Sequence, residues 1–452
     1  MALRSVWQEE LLVEIIVMIV KNVNIGDYVR MAAVCKSWRS MLAHQHVTPV
    51  DVEGPWLLQH KDCAYNHHTG FNFYSLSENR FYTFKFSSYM LNKYPKVAHG
   101  ATFCCATSNG WLVLVAGPNH NPDMFLFDPI SEIDVKLPPL NTIPYFPYFE
   151  KHRIAYMINM VHVFSISDDS TRNLIVVANF VIGRDVYSDD NVLGFCNCEE
   201  EEEERSWVIL DVDIPINRYE SMLFHNDVLY TLVSNHNDDL DTYLGDVVFD
   251  KRIGDEINHI VVLKTDCCEV KMKIINIMKY NTALHIRPFD NELFYIAYSG
   301  LKYVHLAKSI TGELLIIWNK TDPLSQHSEH DYDPNVHQER DDDYYLSIYH
   351  TSKLVIERYE GTYKEITDFE SITSLDDQAL FVSPNSNSFS IPARSDNGCL
   401  ANSIYFTADV LDVFYRKSLV LYRQSGIYCM KEEAIKRPFP NPPLWFQPRL
   451  CN

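Results

Sequence analysis

The run Ser108-Asn-Gly-Trp-Leu-Val-Leu-Val-Ala-Gly-Pro-Asn-His-Asn-Pro-Asp-Met-Phe-Leu-Phe-Asp-Pro129 decides how the rest of the chain is read. Trp111–Val115 is a short, uninterrupted apolar stretch rich in β-branched and aromatic residues. A Gly-Pro-Asn turn region follows, then a second such stretch, Met124–Phe127, closed by Asp128-Pro129. Runs of this length bounded by Gly, Pro, Asn and Asp read as strands covered on both faces. No helical period survives in them.

The same punctuation recurs outward in both directions. Val161–Ile166, Leu174–Phe180, Trp207–Val212, Ser221–Phe224, Val228–Val233 and Val247–Phe249 continue the series. So do Leu293–Ala297, Leu314–Trp318, Leu346–Tyr349, Leu354–Tyr359, Ala379–Val382, Ser403–Phe406 and Ser418–Tyr422. Phe224-His-Asn-Asp-Val228 predicts a hairpin, because Asn and Asp tolerate the positive φ of a tight turn. Helix-length stretches between the strands are missing, which disfavours a parallel α/β sheet. Some 400 residues of antiparallel hairpins would leave many open edges unless the sheets are arranged radially. The expected fold class is mainly β, a propeller of six or seven blades spanning residues 56–450.

Only the N-terminus departs from this pattern. In residues 7–42, Leu12, Ile15, Ile16 and Ile19 fall at helical spacing on one face, and Asn22, Asn24 and Gly26 mark a turn. Asp27 stands where an N-cap acceptor is wanted, with Arg30 one turn on. Met31, Val34, Cys35, Trp38 and Leu42 form a second stripe. Two or three helices of this size bury too little surface to stand alone, so their apolar faces need the body of the protein or another chain.

Composition narrows the function classes. The 452 residues carry a formal charge of −21 with 24 Phe and 27 Tyr, a well-packed acidic protein. Residues 1–50 hold five Lys/Arg against four acids, so the remainder carries −22. Such a body repels phosphate backbones and anionic membranes, so no nucleic acid and no membrane partner is expected. The eleven cysteines include the adjacent pairs Cys104-Cys105 and Cys267-Cys268 but no C-x-x-C, and read as buried thiols in a reducing compartment. With no secretory signal and no membrane-length run, cytoplasm, nucleus or both is the expected location.

Candidate chemistry is sparse. Glu199–Glu204, six consecutive glutamates, reads as a solvated hairpin loop. Thr321–Asp343 carries eight acids and one arginine and reads as a disordered insertion. Its His327, His330, Asp331, Asp333 and His337 lack the rigid surroundings a metal site needs. Cys399 beside Asn397-Gly398 is expected to be a buried thiol rather than a nucleophile. Trp111, Trp207, Trp318 and Trp445 are expected in the core. No nucleotide, hydrolase or zinc motif is present, and no catalytic residue, cofactor or metal is expected.

Two resemblances to known families follow from these motifs. Glu10-Leu11-Leu12, Ile15-Ile16, Asp27 with Arg30, and Val34-Cys35-Lys36-Ser37-Trp38-Arg39 resemble an F-box. That implies a three-helix F-box over residues 1–45, followed by a linker at 46–55, docking a Skp-family adaptor and through it a cullin. Leu11, Leu12, Ile15, Ile16, Ile19, Val34, Cys35 and Trp38 are the implied fold and docking residues. Trp7-Gln8 stands where that family usually has Leu-Pro, which implies weakened adaptor affinity.

The body is similar to the plant KIB-type β-propeller family. The likeness rests on Ser108–Leu112, Asp128-Pro129, Leu137-Pro138-Pro139, Gly312–Leu315, Leu375–Val382 with Ser388–Ser390, Gly398–Phe406 and Pro442–Phe446. Together the two resemblances imply a non-catalytic substrate-receptor subunit of a Skp–cullin–F-box ubiquitin ligase, its client protein unknown. The alternative is a propeller that sequesters a regulator, its F-box degenerate.

Overall fold

The computed structural model describes residues 14–16, 18–20, 23, 25–34, 38, 54–59, 70–99, 102–117, 122–143, 158–165, 174–185, 188–198, 202, 205–210, 218–225, 228–235, 256–266, 269–276, 283–288, 294–323, 349–362, 365–383, 386–395, 397–407, 425–438 and 444–448. These are mainly β, with few helices. The expected strands at Val247–Phe249 and Ser418–Tyr422 lie outside the described residues, as do all but Tyr349 of Leu346–Tyr349.

In chain order the strands are β1 (Trp56–Gln59), β2 (Gly70–Ser75), β3 (Arg80–Lys85), β4 (Thr102–Ser108), β5 (Trp111–Ala116), β6 (Asp123–Asp128) and β7 (Ile133–Lys136). There follow β8 (Ile158–Ser165), β9 (Leu174–Asp185), β10 (Ser188–Asn197), β11 (Val208–Leu210), β12 (Arg218–His225), β13 (Val228–Asn235), β14 (Glu256–Asp266) and β15 (Glu269–Asn276). Next come β16 (Ala283–Pro288), β17 (Phe294–Lys308), β18 (Leu314–Pro323), β19 (Tyr349–Thr362) and β20 (Glu365–Ile372). The series ends with β21 (Gln378–Ser383), β22 (Ser386–Pro392), β23 (Ser403–Phe406), β24 (Gly426–Cys429), β25 (Ala434–Pro438) and β26 (Leu444–Phe446). The helices are α1 (Ile25–Val34), α2 (Ser88–Lys93) and α3 (Pro95–His99).

The chain divides into two compact units. One comprises Met1–Asp213, Asp377–Ala401 and Pro443–Asn452. In it the Ser108–Pro129 stretch forms the middle of a sheet. β4 and β5 are joined by Asn109-Gly110, with Ser108 facing Trp111. Both turn residues have positive φ, 47° and 80°. That is the conformation a two-residue hairpin demands and glycine accepts at no cost. β5 is buried at every position.

The burial has two sources. Ala106, Trp111, Val113, Val115, Met124 and Leu126 share a core with Val161, Val163, Leu174, Val176, Ala178 and Phe180 of the β8–β11 sheet and with Trp207, which leads into β11. Alternate residues point the other way, where Phe127 meets Phe86 and Phe125 stacks on Tyr94 at 4.4 Å. Two covered faces are why the strand reads as a continuous apolar run. Asp128 ends β6 by accepting the backbone N–H of Ile130 (2.8 Å) and the Ser131 hydroxyl (2.6 Å), which sets the turn into β7.

The last strand lies beside the first. β26 pairs antiparallel with β1, which continues into β2 and β3. Trp56, Phe73 and Phe446 fill the middle of this sheet. β22 joins β4 in parallel through Ser386 and Thr107.

The second unit comprises Ile214–Asp376 and Asn402–Pro442. β12–β15 form one antiparallel meander, β16–β20 another, and β23–β25 a third group. His225 faces Val228, so the expected hairpin there is a two-residue one. β18 runs on through Thr321, Asp322 and Pro323, paired with Thr351, His350 and Tyr349. The first three residues of the expected acidic insertion are therefore strand, because β19 supplies their ladder. Residues 324–343, with the histidines considered as ligands, lie outside the described residues.

Trp111, Trp207, Trp318 and Trp445 are all buried, as expected.

Candidate docking surface on the N-terminal helices

Residues 14–16 and 18–20 are helical, α1 covers Ile25–Val34, and Trp38 is helical and half-buried. A three-helix F-box is not made out among the described residues. Leu11, Leu12 and Cys35 lie outside them.

The first helical segment does not present the face expected of it. Ile16 (1% exposed) and Val20 (0%) point inward, whereas Ile15 (45%), Met18 (68%) and Ile19 (43%) point outward. At about 100° per residue, Ile15, Met18 and Ile19 span one arc, and Ile16 with Val20 another on the flank. Leu12, Ile15, Ile16 and Ile19 were expected to share one stripe. Ile16 leaves that stripe, and Met18, which was not singled out, joins it. The signal was ambiguous because this segment is apolar nearly all round, so its period does not select a face.

In the second segment Asp27 is not the N-cap. α1 begins at Ile25, so Asp27 lies in the first turn, where its charge suits the helix dipole and pairs with Arg30. Tyr28 is buried. Burial first, and then the charge of Asp128 at the end of β6, push its phenol above the usual range. The Arg80 guanidinium on β3 is held above its usual range first by a hydrogen bond to the Tyr82 hydroxyl, with Asp27 a smaller contributor. Tyr28 is thus the inward-facing residue of α1, within reach of the Asp128 charge. Val34, at the far end of α1, is 64% exposed.

The helices thus have one side sealed by burial and another that offers Ile15, Met18, Ile19 and Val34 to solvent. Aliphatic surface of this kind has no chemistry to perform, and what it can do is bury against another apolar surface.

Other expected sites resolve differently. Glu202, of the six-glutamate run, pairs with Lys136 at 2.9 Å. That hydrogen bond, more than any other influence, holds its carboxyl below the usual range. Arg205 pins the end of this loop by donating to the Lys136 (2.7 Å) and Cys198 (2.9 Å) carbonyls. Trp207 Nε1 donates to the Pro138 carbonyl. At Glu202 the run is tied down against β7 rather than wholly solvated. The remaining five glutamates lie outside the described residues.

Cys104, Cys105, Cys196, Cys198, Cys399 and Cys429 are buried free thiols. Burial pushes Cys105 and Cys399 up to about 12, the opposite of what a nucleophile needs. No cluster of metal-ligating side chains occurs among the described residues. No described helix is long and apolar enough to cross a membrane.

A family model described as KIB1-4 beta-propeller matches residues 16–429. No curated protein matches the chain. Among solved structures, an α-L-arabinofuranosidase of Fusarium graminearum bound to arabinobiose is 8% identical with a TM-score of 0.30, covering 68% of this chain and 83% of that one. An α-L-arabinanase of Penicillium chrysogenum is 10% identical with a TM-score of 0.29, over 63% and 78%. TolB of Acinetobacter baumannii is 7% identical with a TM-score of 0.26, over 72% and 65%.

Proposed function

The chain belongs to the KIB1-4 β-propeller family, and from that premise we propose that it is a substrate-receptor subunit of a Skp–cullin–F-box ubiquitin ligase. Family membership supports a protein-interaction role for the propeller, which in this reading has six or seven blades and holds a client protein. The N-terminal helices dock a Skp-family adaptor. One observation carries the finer reading: Ile15, Met18, Ile19 and Val34 are exposed on the segment whose sequence resembles an F-box. The chain itself does no bond chemistry. It raises the effective concentration of a client lysine near the transferred ubiquitin. The complex works in the cytoplasm, the nucleus or both.

Co-purification with a Skp-family adaptor tests this. Full-length chain should retain the adaptor, and a chain lacking residues 1–45 should lose it. Retention after the deletion would overturn the assignment.

Trp7-Gln8 favours a second reading, in which the propeller sequesters a regulator and no longer engages an adaptor. Restoring Leu-Pro at these two positions separates the two. Adaptor binding gained only on restoration identifies a degenerate F-box.

A further inference from the structure

β8–β9 and β17–β18 are two copies of one strand pair. β8 reads Met160-Val-His-Val-Phe-Ser165 and β17 reads Tyr303-Val-His-Leu-Ala-Lys308. Their partners read Leu174-Ile-Val-Val-Ala-Asn-Phe180 and Leu314-Leu-Ile-Ile-Trp-Asn-Lys320. The registers superpose: Ser165 faces Leu174 as Lys308 faces Leu314, His162 faces Val177 as His305 faces Ile317, and Met160 faces Asn179 as Tyr303 faces Asn319. The irregularity falls at the same place too, between Ile158 and Met160 in one copy and between Leu301 and Tyr303 in the other. A shared register and a shared bulge are marks of a structural repeat.

The copies agree in being keyed to a serine of an earlier strand, Ser108 of β4 in one and Ser221 of β12 in the other. In the first, the backbone N–H of Val163 donates to Ser108 Oγ at 2.7 Å. In the second, the N–H of Leu306 donates to Ser221 Oγ at 2.9 Å. In both, the residue so held directly follows the histidine. Both histidines are buried, and neither Nδ1 meets a protein donor or acceptor. Each ring is therefore packed tightly by its strand register while one of its two nitrogens faces no protein partner. A buried ring nitrogen left without a hydrogen bond is costly, and native interiors satisfy such atoms with ordered water.

We propose that His162 and His305 are equivalent positions of a repeat and that each binds one internal water molecule through Nδ1. The chemistry of the two sites selects this ligand. Burial holds both rings neutral, so neither site calls for an anion. The side chain that bonds the His162 ring, Asn387, is uncharged. In the Nε2–H tautomer, with Nε2 donating to the Asn387 carbonyl oxygen, Nδ1 is a lone-pair acceptor, and a water donates to it. The water supplies the hydrogen bond that each buried Nδ1 otherwise lacks.

A crystal structure of the full chain at a resolution that shows ordered water tests this, together with the variants His162→Phe and His305→Phe. A water peak at hydrogen-bonding distance from both Nδ1 atoms, each lost in its own Phe variant, is the expected result. A ring whose Nδ1 meets a protein donor, or whose Nδ1 faces space without density, overturns it for that copy. Should the Phe variants fail to fold, His162→Gln and His305→Gln keep a polar group for the water, and the unsubstituted structure decides the rest.

Discussion

Leu57 of the first strand stands in register with Trp445 of the last. That pairing places the two ends of the β series in one sheet, and Trp445 is buried there. Its ring meets Phe381 edge-on at 4.9 Å, and its carbonyl accepts the Thr107 hydroxyl. Trp445→Ala should destabilise the protein by about 3–5 kcal/mol, the usual cost of a buried aromatic truncation. Truncation before Pro443 should cost more, since it also strips β1 of one of its two partners. Chemical denaturation of the three proteins measures both.

Gly398 lies on the Asn397–Cys399 turn with φ +67°, and a Cβ there would stand 2.7 Å from the Leu76 carbonyl oxygen. Backbone cannot yield as a flexible side chain can. Gly398→Ala therefore incurs both a left-handed backbone penalty and a clash, together about 1–3 kcal/mol. A lowered denaturation midpoint with an unchanged slope would show it.

The sheets were legible where one strand is covered on two faces. Trp111–Val115 and Met124–Phe127 announced β5 and β6 because nothing polar interrupts them, and Ser403–Phe406 gave β23 to the residue. β1 to β3 and β24 to β26 were among the strands not read; Arg80–Lys85, with Arg, Thr and Lys among its six residues, makes no apolar run. The N-terminal stripe was misjudged for the opposite reason. Residues 15–20 are all apolar, so only tertiary contact decides that Ile16 turns in and Ile19 turns out. The Val-His repeat escaped because its identity is one of register, shared bulge and serine keying, which two short hydrophobic strands do not display in their letters.

Burial lowers the pKa of His162 and His305 to about 4. Both bind protons more readily unfolded than folded, so their contribution to stability is full above the unfolded value near 6.5 and falls as pH drops from there toward 4. Each should cost about 1.4 kcal/mol per pH unit across that window. His162→Gln and His305→Gln should flatten this slope between pH 6 and 4.5 in denaturation measured at a series of pH values, one proton's worth per variant.

With their pKa near 12, Cys105 and Cys399 hold a thiolate fraction on the order of one part in ten thousand at pH 8. Iodoacetamide should therefore leave both unmodified in the native protein and label them in urea, as peptide mass spectrometry would read. Labelling of Cys399 in the native state would reopen its candidacy as a nucleophile.

Ile16 and Ile19 are three residues apart on one helical segment and face opposite fates. Ile16 is sealed and Ile19 is open. An aspartate at 16 must bury a charge or unseat the segment, a loss on the order of 3 kcal/mol in local stability. An aspartate at 19 meets water and should leave thermal unfolding unchanged. If the outward arc docks an adaptor, Ile19→Asp should still weaken that binding by about tenfold or more, because a charge then enters an apolar contact. Met18→Glu should act in the same way, being the most open side chain of the arc. Hydrogen exchange over residues 14–20 reports the first effect and surface plasmon resonance with a Skp-family adaptor the second. Ile19→Asp binding as tightly as the unsubstituted chain would remove the arc from the interface, whatever becomes of Ile16.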